Sequence, residues 1–330
     1  MNRVLVTGGA GFIGFHLSKR LADRGITVHI LDNLSRSDMD FDLEKLVEKE
    51  NVSFFEKDVT DLKTWKELPL NYYDAVYHFA ALNGTENFYN RPVDVLKVGS
   101  LSVIYMLDWV VNHKRKPKII YSSSSEVYAS TLNLLGENFP IPTPETINPS
   151  IEDVRNVRWS YASGKLIGEV AFFSYAKSYG LSDFSIVRFA NIYGPRMGND
   201  HVVSQFIDRY LKNQNPFMIY GGTNTRSFCY IDDALNALDK IADASHDVDD
   251  IITIGNDDEE IKIQDLAKML FRLFGNNNPT LKIESAPDGS VKRRCPNIDK
   301  IKSLGYRKST PLNEGLKITY DWYERRYNFG

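Results

Sequence analysis

The chain begins with a β-rich segment that runs directly into a cluster of glycines, RVLVTGGAGFIG. Gly8, Gly11 and Gly14 are spaced G-x-x-G-x-x-G, and residues 12–25, which include Gly14, have helical periodicity. Glycine is costly inside regular structure, so this cluster needs a local reason, here a tight turn and close backbone approach. Free N–H groups at the start of a helix favour negative charge. The feature predicts a strand–turn–helix unit that binds the phosphates of a dinucleotide.

An acidic residue follows at the position that such a unit requires. Asp32 closes the second predicted strand, 18 positions after Gly14. A carboxylate there can accept hydrogen bonds from the adenosine ribose and would repel a 2′-phosphate, so we expect NAD as the cofactor rather than NADP. Asp58 and Val59 end the third predicted strand and are expected to contact the adenine. The alternative is a glycine-rich turn without a ligand.

Strand-like and helix-like segments alternate through the first half of the chain. Such alternation predicts a Rossmann-type, doubly wound parallel α/β sheet with helices on both faces, which binds ligands at the carboxyl ends of its strands. The predicted strands cover 3–8, 27–33, 53–59, 74–81 and 117–125, and the predicted helices cover 12–25 and 100–113.

After about residue 190 the pattern becomes less regular. We therefore expect an NAD-binding domain over 1–190, which carries the catalytic residues, and a smaller mixed α/β lobe over 191–330, which binds the nucleotide-sugar. The boundary is expected to be interleaved, with some return of the later chain to the first lobe. The proline-rich segment 137–149 is expected to be an extended surface excursion. Residues 276–279 and 286–289 are expected to be turns.

The composition narrows the class of protein. Forty basic and 43 acidic side chains give a formal net charge of −3, which argues against general binding to nucleic acid or a membrane surface. Cys229 and Cys295 have no metal-ligand spacing, so we expect neither a metal site nor a disulfide framework. The early start of the first strand leaves no room for a signal peptide, and no apolar stretch of about 18 residues could span a bilayer. These features predict a cytoplasmic protein.

Two residues on one predicted helix have the chemistry of an acid–base pair. In WSYASGKLIGE, Tyr161 and Lys165 are four residues apart, which puts both on one face of a helix. A nearby ammonium lowers the pKa of a phenol, so Tyr161 could act as a base near neutral pH. The spacing alone is common by chance. It gains weight from the serine run in YSSSSEVYA at the end of a predicted strand.

Several segments resemble one enzyme family, in this order: TGGAGFIG, HFAA, SSSSEVYA, YASGK, RFANIYGPRM and TRSFCYIDD. They closely resemble the extended short-chain dehydrogenase/reductase family, whose members modify nucleotide-sugars with NAD. The resemblance runs from residue 3 to about residue 305. It implies that Ser124, four residues before Tyr128, holds the reacting sugar oxygen. It also implies that Tyr161 removes the proton of that oxygen, that hydride passes to nicotinamide, and that Lys165 binds the nicotinamide ribose.

The motifs and the resemblance together give two sets of binding residues. The expected cofactor-binding residues are Gly8, Gly11, Phe12, Ile13, Gly14, Asp32, Asn33, Asp58, Val59, Ala80, Ala81, Tyr161 and Lys165. The expected substrate-binding residues are Ser124, Ser125, Glu126, Asn191, Arg226 and Arg294. Arginine suits the pyrophosphate because its forked donors match phosphate oxygens; the alternative for each arginine is an ordinary surface position.

Two positions depart from the family pattern. The usual asparagine in the helix after the fourth strand is Gly99 here, and the glycine of the V-Y-G motif is Ala129. We expect both changes to affect local packing more than chemistry.

Glu126 leaves the reaction type open. A 4-epimerase needs only that the sugar rotates and takes the hydride back on its other face. In relatives that dehydrate or decarboxylate the sugar, a glutamate commonly stands at this place, where it can move a proton at the carbon next to the ketone. NIYGPRMGNDHVVSQFI resembles the decarboxylase branch, whereas Ser125 replaces the aspartate of deoxyhexose-forming dehydratases.

We therefore expect an NAD-dependent nucleotide-sugar epimerase that acts through a transient 4-keto sugar. A decarboxylase or 4,6-dehydratase that uses Glu126 as acid or base is the alternative. A non-catalytic NAD sensor on the same fold is the third hypothesis, because fold does not fix function.

The expected partners are a nucleoside-diphosphate sugar and a second copy of the chain. The predicted helices at 100–113 and 161–180 carry many apolar residues, and relatives pair two such helices across a two-fold axis into a four-helix bundle. We expect a homodimer that uses Val103, Met106, Val110, Phe172 and Phe173. The alternative is that these side chains pack only within the monomer.

Overall fold

The computed structural model describes residues 1–244, 250–275, 280–286 and 290–329. Its strands are β1 Arg3–Thr7, β2 Thr27–Asp32, β3 Val52–Glu56, β4 Ala75–His78, β5 Lys118–Ser124, β6 Phe184–Phe189, β7 Ile192–Tyr193, β8 Phe217–Tyr220, β9 Thr225–Ser227, β10 Cys229–Tyr230, β11 Asp250–Ile254, β12 Glu260–Lys262, β13 Leu281–Glu284 and β14 Arg293–Arg294.

The α-helices are α1 Phe12–Asp23, α2 Phe41–Val47, α3 Leu62–Glu67, α4 Thr85–Asn90, α5 Pro92–Val111, α6 Ala129–Leu135, α7 Ser160–Tyr179, α8 Val202–Leu211, α9 Ile231–Asp243, α10 Ile263–Phe274, α11 Asp299–Ser303 and α12 Leu312–Phe329. Short 3-10 helices cover Ser125–Tyr128, Gly136–Asn138 and Val157–Trp159.

The largest sheet has the strand order β11-β6-β5-β4-β1-β2-β3. The pairs β1·β2, β1·β4, β2·β3 and β4·β5 are all parallel. The chain order reverses between β1 and β4, and ligands of doubly wound sheets bind at the carboxyl ends of the strands at this point. The predicted doubly wound α/β fold is confirmed.

The sequence prediction placed five strands of this sheet to within a few residues but was less accurate for helices. Helix α5 begins at Pro92 rather than at residue 100, because proline fits the first turn, where its missing N–H is not needed. The short helices α2 and α3 were not predicted. Each begins at an aspartate whose side chain accepts a backbone N–H, Asp40 for α2 and Asp61 for α3.

The core beside this sheet contains the apolar faces of α5 and α7. Val103, Met106, Val110 and Phe172 are at most 1% exposed, and they pack among the apolar side chains of the sheet. The expectation that these four side chains form a dimer contact is therefore wrong, since burying them already completes the core. Phe173 differs from them because it is 43% exposed.

The backbones of α5 and α7 lie close together at two glycines, Gly99 and Gly164. A Cβ atom on Gly99 would lie 3.0 Å from the Cα of Gly164, and a Cβ on Gly164 would lie 3.2 Å from the Cα of Gly99. A side chain at either position would push the helix backbones apart. The replacement of the family's usual asparagine by Gly99 therefore affects packing. It allows α5 to lie close to α7, the helix that carries Tyr161 and Lys165.

The chain divides into two units that alternate along the sequence. Unit 1 comprises residues 1–127, 153–188 and 241–252, and unit 2 comprises residues 128–152, 189–240 and 253–330. Residues 128–152 thus lie in unit 2, and residues 241–252 return from the second half of the chain to unit 1.

Residues 137–149 lack strand and helix over most of their length, as predicted, but they are not simply a surface excursion. Phe139 and Thr143 are 5% and 2% exposed. The backbone of Thr143 donates to the carbonyl of Cys295 at 2.9 Å and accepts from the N–H of Asn297 at 2.8 Å. These bonds attach the segment to the rest of unit 2.

Two further expectations concern turns and location. The turn predicted at 276–279 lies outside the described residues, and so does most of the one predicted at 286–289. Among the residues that the structure describes, no helix combines the length and apolar character needed to cross a bilayer. The cytoplasmic location stays a prediction.

Candidate active site

The glycine turn between β1 and α1 has no space for side chains at its first and last glycines, Gly8 and Gly14. Gly8 has φ of +67°, and a Cβ on it would lie 2.6 Å from the backbone nitrogen of Ala80, which follows β4. A Cβ on Gly14 would lie 2.1 Å from the carbonyl oxygen of Gly8. The turn therefore folds against the first turn of α1 and against the segment after β4, at the point where the strand order reverses.

The amino end of α1 has the features of an anion-binding site. Its N-cap is Gly11, which offers no side-chain cap, and its first turn, which contains Phe12 and Ile13, has no acidic residue. The N–H groups that begin a helix need acceptors, and the helix dipole favours negative charge there. A dinucleotide phosphate supplies both, so the turn fits NAD.

Carboxylates stand at the ends of the next two strands. Asp32 accepts hydrogen bonds from the N–H groups of Ala10 at 3.1 Å and Leu34 at 2.9 Å, which orient its carboxylate beside the glycine turn. Asn33 donates to Asp58 at 3.2 Å, and Asp58 also accepts from the backbone and the hydroxyl of Thr60. The structure thus brings together the polar residues expected to bind the adenosine.

Three more residues expected to contact the cofactor lie near these strand ends. Val59 is 6% exposed, and its carbonyl accepts the indole N–H of Trp65 at 2.9 Å. The N–H of Ala80 donates to the hydroxyl of Thr7 at 3.3 Å. Ala81 packs against the apolar cluster that contains Tyr161. The loop after β4 therefore links the cofactor turn to the catalytic residues.

Ser124 and Tyr161 meet at the carboxyl end of β5. Ser124 is the last residue of that strand, and Tyr161 is the second residue of α7. Their side chains are hydrogen-bonded, and the N–H of Glu126 donates to the hydroxyl oxygen of Ser124 at 3.2 Å. The phenol ring is stacked on Phe88, with 5.1 Å between ring centroids. Tyr161 is only 7% exposed, so its ring is held in one place.

Lys165 is buried beneath Tyr161. Its Nζ donates to the carbonyl of Ser122 at 2.5 Å and lies 5.9 Å from the centre of the Tyr161 ring. Burial lowers the pKa of Lys165 to about 7, and the negative charge of Glu169 opposes that change. The ammonium is therefore directed at the strand rather than at the phenol.

The pKa of Tyr161 is raised, contrary to the sequence prediction. Burial is the largest cause, because it disfavours the phenolate, and the charge of Glu126 acts in the same direction. The hydrogen bond with Ser124 and the charge of Arg36 lower the pKa, but by less. The predicted direction of the shift is wrong for this structure, because burial outweighs the favourable contacts of the phenol.

The structure adds an ion pair at this site that sequence reasoning missed. Arg158 donates from Nη2 to Oε2 of Glu126 at 2.9 Å, and the two side chains are 9% and 16% exposed. The guanidinium carbon lies 5.1 Å from the centre of the Phe88 ring. Ser125, between Ser124 and Glu126, is 2% exposed. Glu126 is therefore held in a fixed orientation close to Tyr161.

A second missed pair lies deeper, one helical turn after Lys165. Glu169 accepts two hydrogen bonds from Arg188 on β6, from Nε at 2.9 Å and from Nη2 at 2.7 Å. The hydroxyl of Ser123 donates to the same carboxylate at 2.5 Å. Glu169, Arg188 and Ser123 are 3%, 2% and 2% exposed. This network joins α7, β5 and β6 below the catalytic residues.

The other expected substrate-binding residues are in unit 2. Asn191 and Arg226 line one pocket of that unit, together with Tyr220 and Phe228. Asn191 donates to the carbonyl of Ser227 at 2.9 Å, and Arg226 donates to the carbonyl of Val291 at 2.6 Å.

Arg294 differs from these two residues because it does not line the pocket. It is 8% exposed, and it is the register partner of Arg226 on the paired strands β14 and β9. The structure thus gathers Asn191 and Arg226 at a pocket and places Arg294 beside Arg226 in the sheet. The surface alternative is wrong for Arg294, because its side chain is buried.

The parallel sheet, the glycine turn, the aspartate after β2 and the Ser–Tyr–Lys cluster define an NAD-binding enzyme of the extended short-chain dehydrogenase/reductase class. The model of the NAD dependent epimerase/dehydratase family matches residues 4–255. The chain belongs to that family, and both the predicted cofactor, NAD, and the predicted enzyme class are confirmed.

Individual relatives cover nearly the whole chain. A UDP-N-acetyl-alpha-D-glucosaminuronate decarboxylase of Bacillus cytotoxicus is 31% identical, over 99% of this chain and 99% of its own. A putative UDP-glucose 4-epimerase of Methanocaldococcus jannaschii is 29% identical, over 97% of each chain. The structure of UDP-glucuronic acid 4-epimerase from Bacillus cereus, in complex with UDP-glucuronic acid and NAD, has a TM-score of 0.85 and 26% identity, over 98% of this chain and 100% of that one.

Proposed function

We propose that the protein is an epimerase of UDP-sugars that inverts C4 through a transient 4-keto sugar. The observation that carries this proposal is the cluster of Ser124, Tyr161 and Lys165, in the same unit as the glycine turn. The UDP moiety is proposed because the relatives named above act on UDP-sugars or bind one.

In the proposed reaction, Ser124 hydrogen-bonds the O4 atom of the sugar and Tyr161 accepts the O4 proton. NAD, when bound, supplies the acceptor and later the donor of the C4 hydride. The buried Lys165 adds positive charge below the phenol whenever it is protonated. Tyr161 returns the proton to O4 when the ketone is reduced on its other face. Only one acid–base group is needed for this sequence.

A second candidate function is decarboxylation of a UDP-uronic acid, which the Glu126–Arg158 pair favours. A 4-keto uronate carries its carboxylate β to the ketone. When the C5–C6 bond breaks, CO₂ leaves and the electron pair forms an enolate over C4 and C5. C5 must then be protonated, and a carboxyl group at the site can relay that proton. Glu126 is held for such a role, whereas a simple epimerase has no use for it.

The test is an NMR screen in D₂O with UDP-glucose, UDP-N-acetylglucosamine and UDP-glucuronic acid. Inversion at C4 without deuterium at C3 or C5 supports the epimerase. Loss of CO₂ from UDP-glucuronic acid with deuterium at C5 supports the decarboxylase instead. Glu126→Gln separates the two, because it should leave the maximal kcat of epimerisation, reached at the pH optimum, unchanged and should lower the maximal kcat of decarboxylation.

Tyr161→Phe tests the core of the proposal in both cases. Loss of the acid–base group should lower kcat by a factor of about 10²–10⁴. Tyr175→Phe is a matched control, because Tyr175 is on the same helix and its hydroxyl bonds only to Asp108 among the contacts described. Undiminished turnover by Tyr161→Phe would contradict the proposed mechanism.

We also propose that Asn191, Arg226 and Arg294 bind the diphosphate moiety of the substrate. The pocket of unit 2 supports this role for Asn191 and Arg226. The in-register pairing of Arg294 with Arg226 supports a local concentration of positive charge, which a slightly acidic chain needs for a dianionic ligand. Arg226→Gln should raise KM for the UDP-sugar more than it lowers kcat.

The homodimer remains part of the proposal, with different residues from those first expected. Helices α5 and α7 expose six large hydrophobic side chains, which are 37–60% accessible: Val93, Leu96, Ile167, Val170, Phe173 and Tyr179. These side chains could bury their apolar surface against the same helices of a second copy. Sedimentation of a single 37.7 kDa species at micromolar concentration would count against the dimer.

A further inference from the structure

The ion pair of Arg158 and Glu126 contains a donor that the protein does not satisfy. Arg158 is 7% exposed. Its Nη1 atom is enclosed and has no hydrogen-bond acceptor among the residues that the structure describes. Burying a cation is costly unless its charge is neutralised and its donors are bonded. Stability alone therefore explains this arginine poorly, and its ion pair with the carboxylate of Glu126 indicates its role.

Arg158 and Tyr161 are fixed relative to each other. Arg158 lies in the 3-10 helix Val157–Trp159, which leads directly into α7, and its N–H donates to the side chain of Asn156 at 3.0 Å. The guanidinium lies over the ring of Phe88, and that same ring is stacked on Tyr161. Since one buried ring contacts both side chains, the carboxylate bonded to Arg158 also has a defined position near the phenol.

Several charges act on the phenol. Glu126 raises the pKa of Tyr161, whereas Ser124 and Arg36 lower it. Two other titratable groups also face the ring, Lys165 from the same helix and Tyr121 from β5. The positive charge of Arg158 is 2.9 Å from Glu126, so its field opposes that of the carboxylate.

We propose that Arg158 is a positioning residue, which holds the carboxylate of Glu126 beside Tyr161 and screens the negative charge of Glu126 from the phenol. This inference rests on the proposed function, in which Tyr161 is the proton acceptor. Arg158 acts only through Glu126, and it touches neither the sugar nor the cofactor in this role. If Arg158 only stabilised the fold, its effect on the pH profile of kcat would not depend on the presence of Glu126.

The test compares Arg158→Gln, Arg158→Lys, Glu126→Gln and the double variant Arg158→Gln/Glu126→Gln. The readout is the pH profile of kcat, measured with whichever of UDP-glucose, UDP-N-acetylglucosamine and UDP-glucuronic acid the unmodified enzyme converts. Arg158→Gln should move the ascending limb to higher pH by about one unit, because Tyr161 must then ionise beside an unscreened carboxylate. Glu126→Gln should move this limb to lower pH. The double variant should follow Glu126→Gln, and Arg158→Lys should lie between the wild type and Arg158→Gln.

The matched control is Arg155→Gln. Arg155 is three residues before Arg158 and also pairs with a carboxylate, Asp153 at 3.0 Å, but its side chain is 88% exposed. Its pH profile should equal that of the wild type.

Two kinetic results would overturn the inference: an equal loss of kcat at every pH in Arg158→Gln, or a double variant in which the two pH shifts add. If the wild type converts none of the three sugars, the proposed function has failed, and thermal unfolding of the same variants decides the inference. The double variant should then have a higher melting temperature than Arg158→Gln, because Arg158→Gln leaves the largely buried carboxylate of Glu126 without its ion-pair partner and the double variant removes that carboxylate. Additive losses of melting temperature would refute the coupling.

Discussion

Replacing Glu169 by glutamine should destabilise unit 1 strongly although it changes the shape of the side chain very little. The carboxylate accepts two hydrogen bonds from Arg188 and one from Ser123, and all three residues are at most 3% exposed. Glu169→Gln leaves the guanidinium buried without a counter-charge. Breaking a buried ion pair by removing one partner costs about 3–5 kcal/mol.

The free energy of unfolding can be measured by urea denaturation, followed by circular dichroism. A unit of about 150–250 residues loses about 2–4 °C of Tm per kcal/mol, so thermal unfolding gives an independent check. Glu67→Gln is the control. Glu67 also forms an ion pair with a basic residue of unit 1, Lys57, but the two side chains are exposed, Lys57 by 48% and Glu67 by 60%. Such exposed pairs contribute about 0–1 kcal/mol.

A second variant separates charge from packing. Glu169→Leu/Arg188→Met removes both charges and keeps apolar volume, so it should be less destabilised than Glu169→Gln, as found for buried pairs replaced by well-packed apolar residues. A loss of less than about 1 kcal/mol for Glu169→Gln, equal to that of Glu67→Gln, would refute the reasoning.

Two further predictions concern the cofactor turn and Lys165. Gly8→Ala should weaken NAD binding at least about tenfold in calorimetric titration, because the new Cβ would lie 2.6 Å from the backbone nitrogen of Ala80. The control is Gly25→Ala, which should retain NAD affinity: Gly25 also has a positive φ, +79°, but no atom lies within 4 Å of its Cβ position. Lys165 should make stability rise with pH between about 7 and 10.5, because over that range the unfolded chain holds a proton that the folded protein has released. The midpoint of urea denaturation should rise less steeply with pH in Lys165→Met than in the wild type. Equal pH dependence of the midpoint in the two proteins would contradict the assignment of this effect to Lys165.

The cofactor turn could be predicted from sequence because its determinants are local. The glycines, the strand before them and the helix after them are contiguous, and steric limits on glycine positions act over a few residues. Asp32 was predictable for the same reason, since it ends the next strand along. The cluster of Ser124, Tyr161 and Lys165 needed the family resemblance, because β5 and α7 are separated by residues that carry no comparable pattern.

The two ion pairs could not be predicted, because each joins residues that are far apart in sequence. Glu126 and Arg158 are 32 positions apart, and only the fold shows that they meet. Arg188 did carry a signal, since it is the one charged residue in the apolar strand FSIVRF, and a buried arginine requires a buried acid. The pKa of Tyr161 was predicted in the wrong direction because spacing shows which charges are near but not how deeply a phenol is buried.

The position of β11 in the largest sheet has a consequence for synthesis of the chain. β11 pairs beside β6, yet about sixty residues, most of them from unit 2, separate the two strands. At about 5–20 residues per second, a ribosome needs several seconds to make them. During that interval the backbone N–H and C=O groups along one side of β6 have no strand partner. A nascent chain of this protein therefore displays an open strand edge that other chains could pair with, until the last strand emerges and closes it.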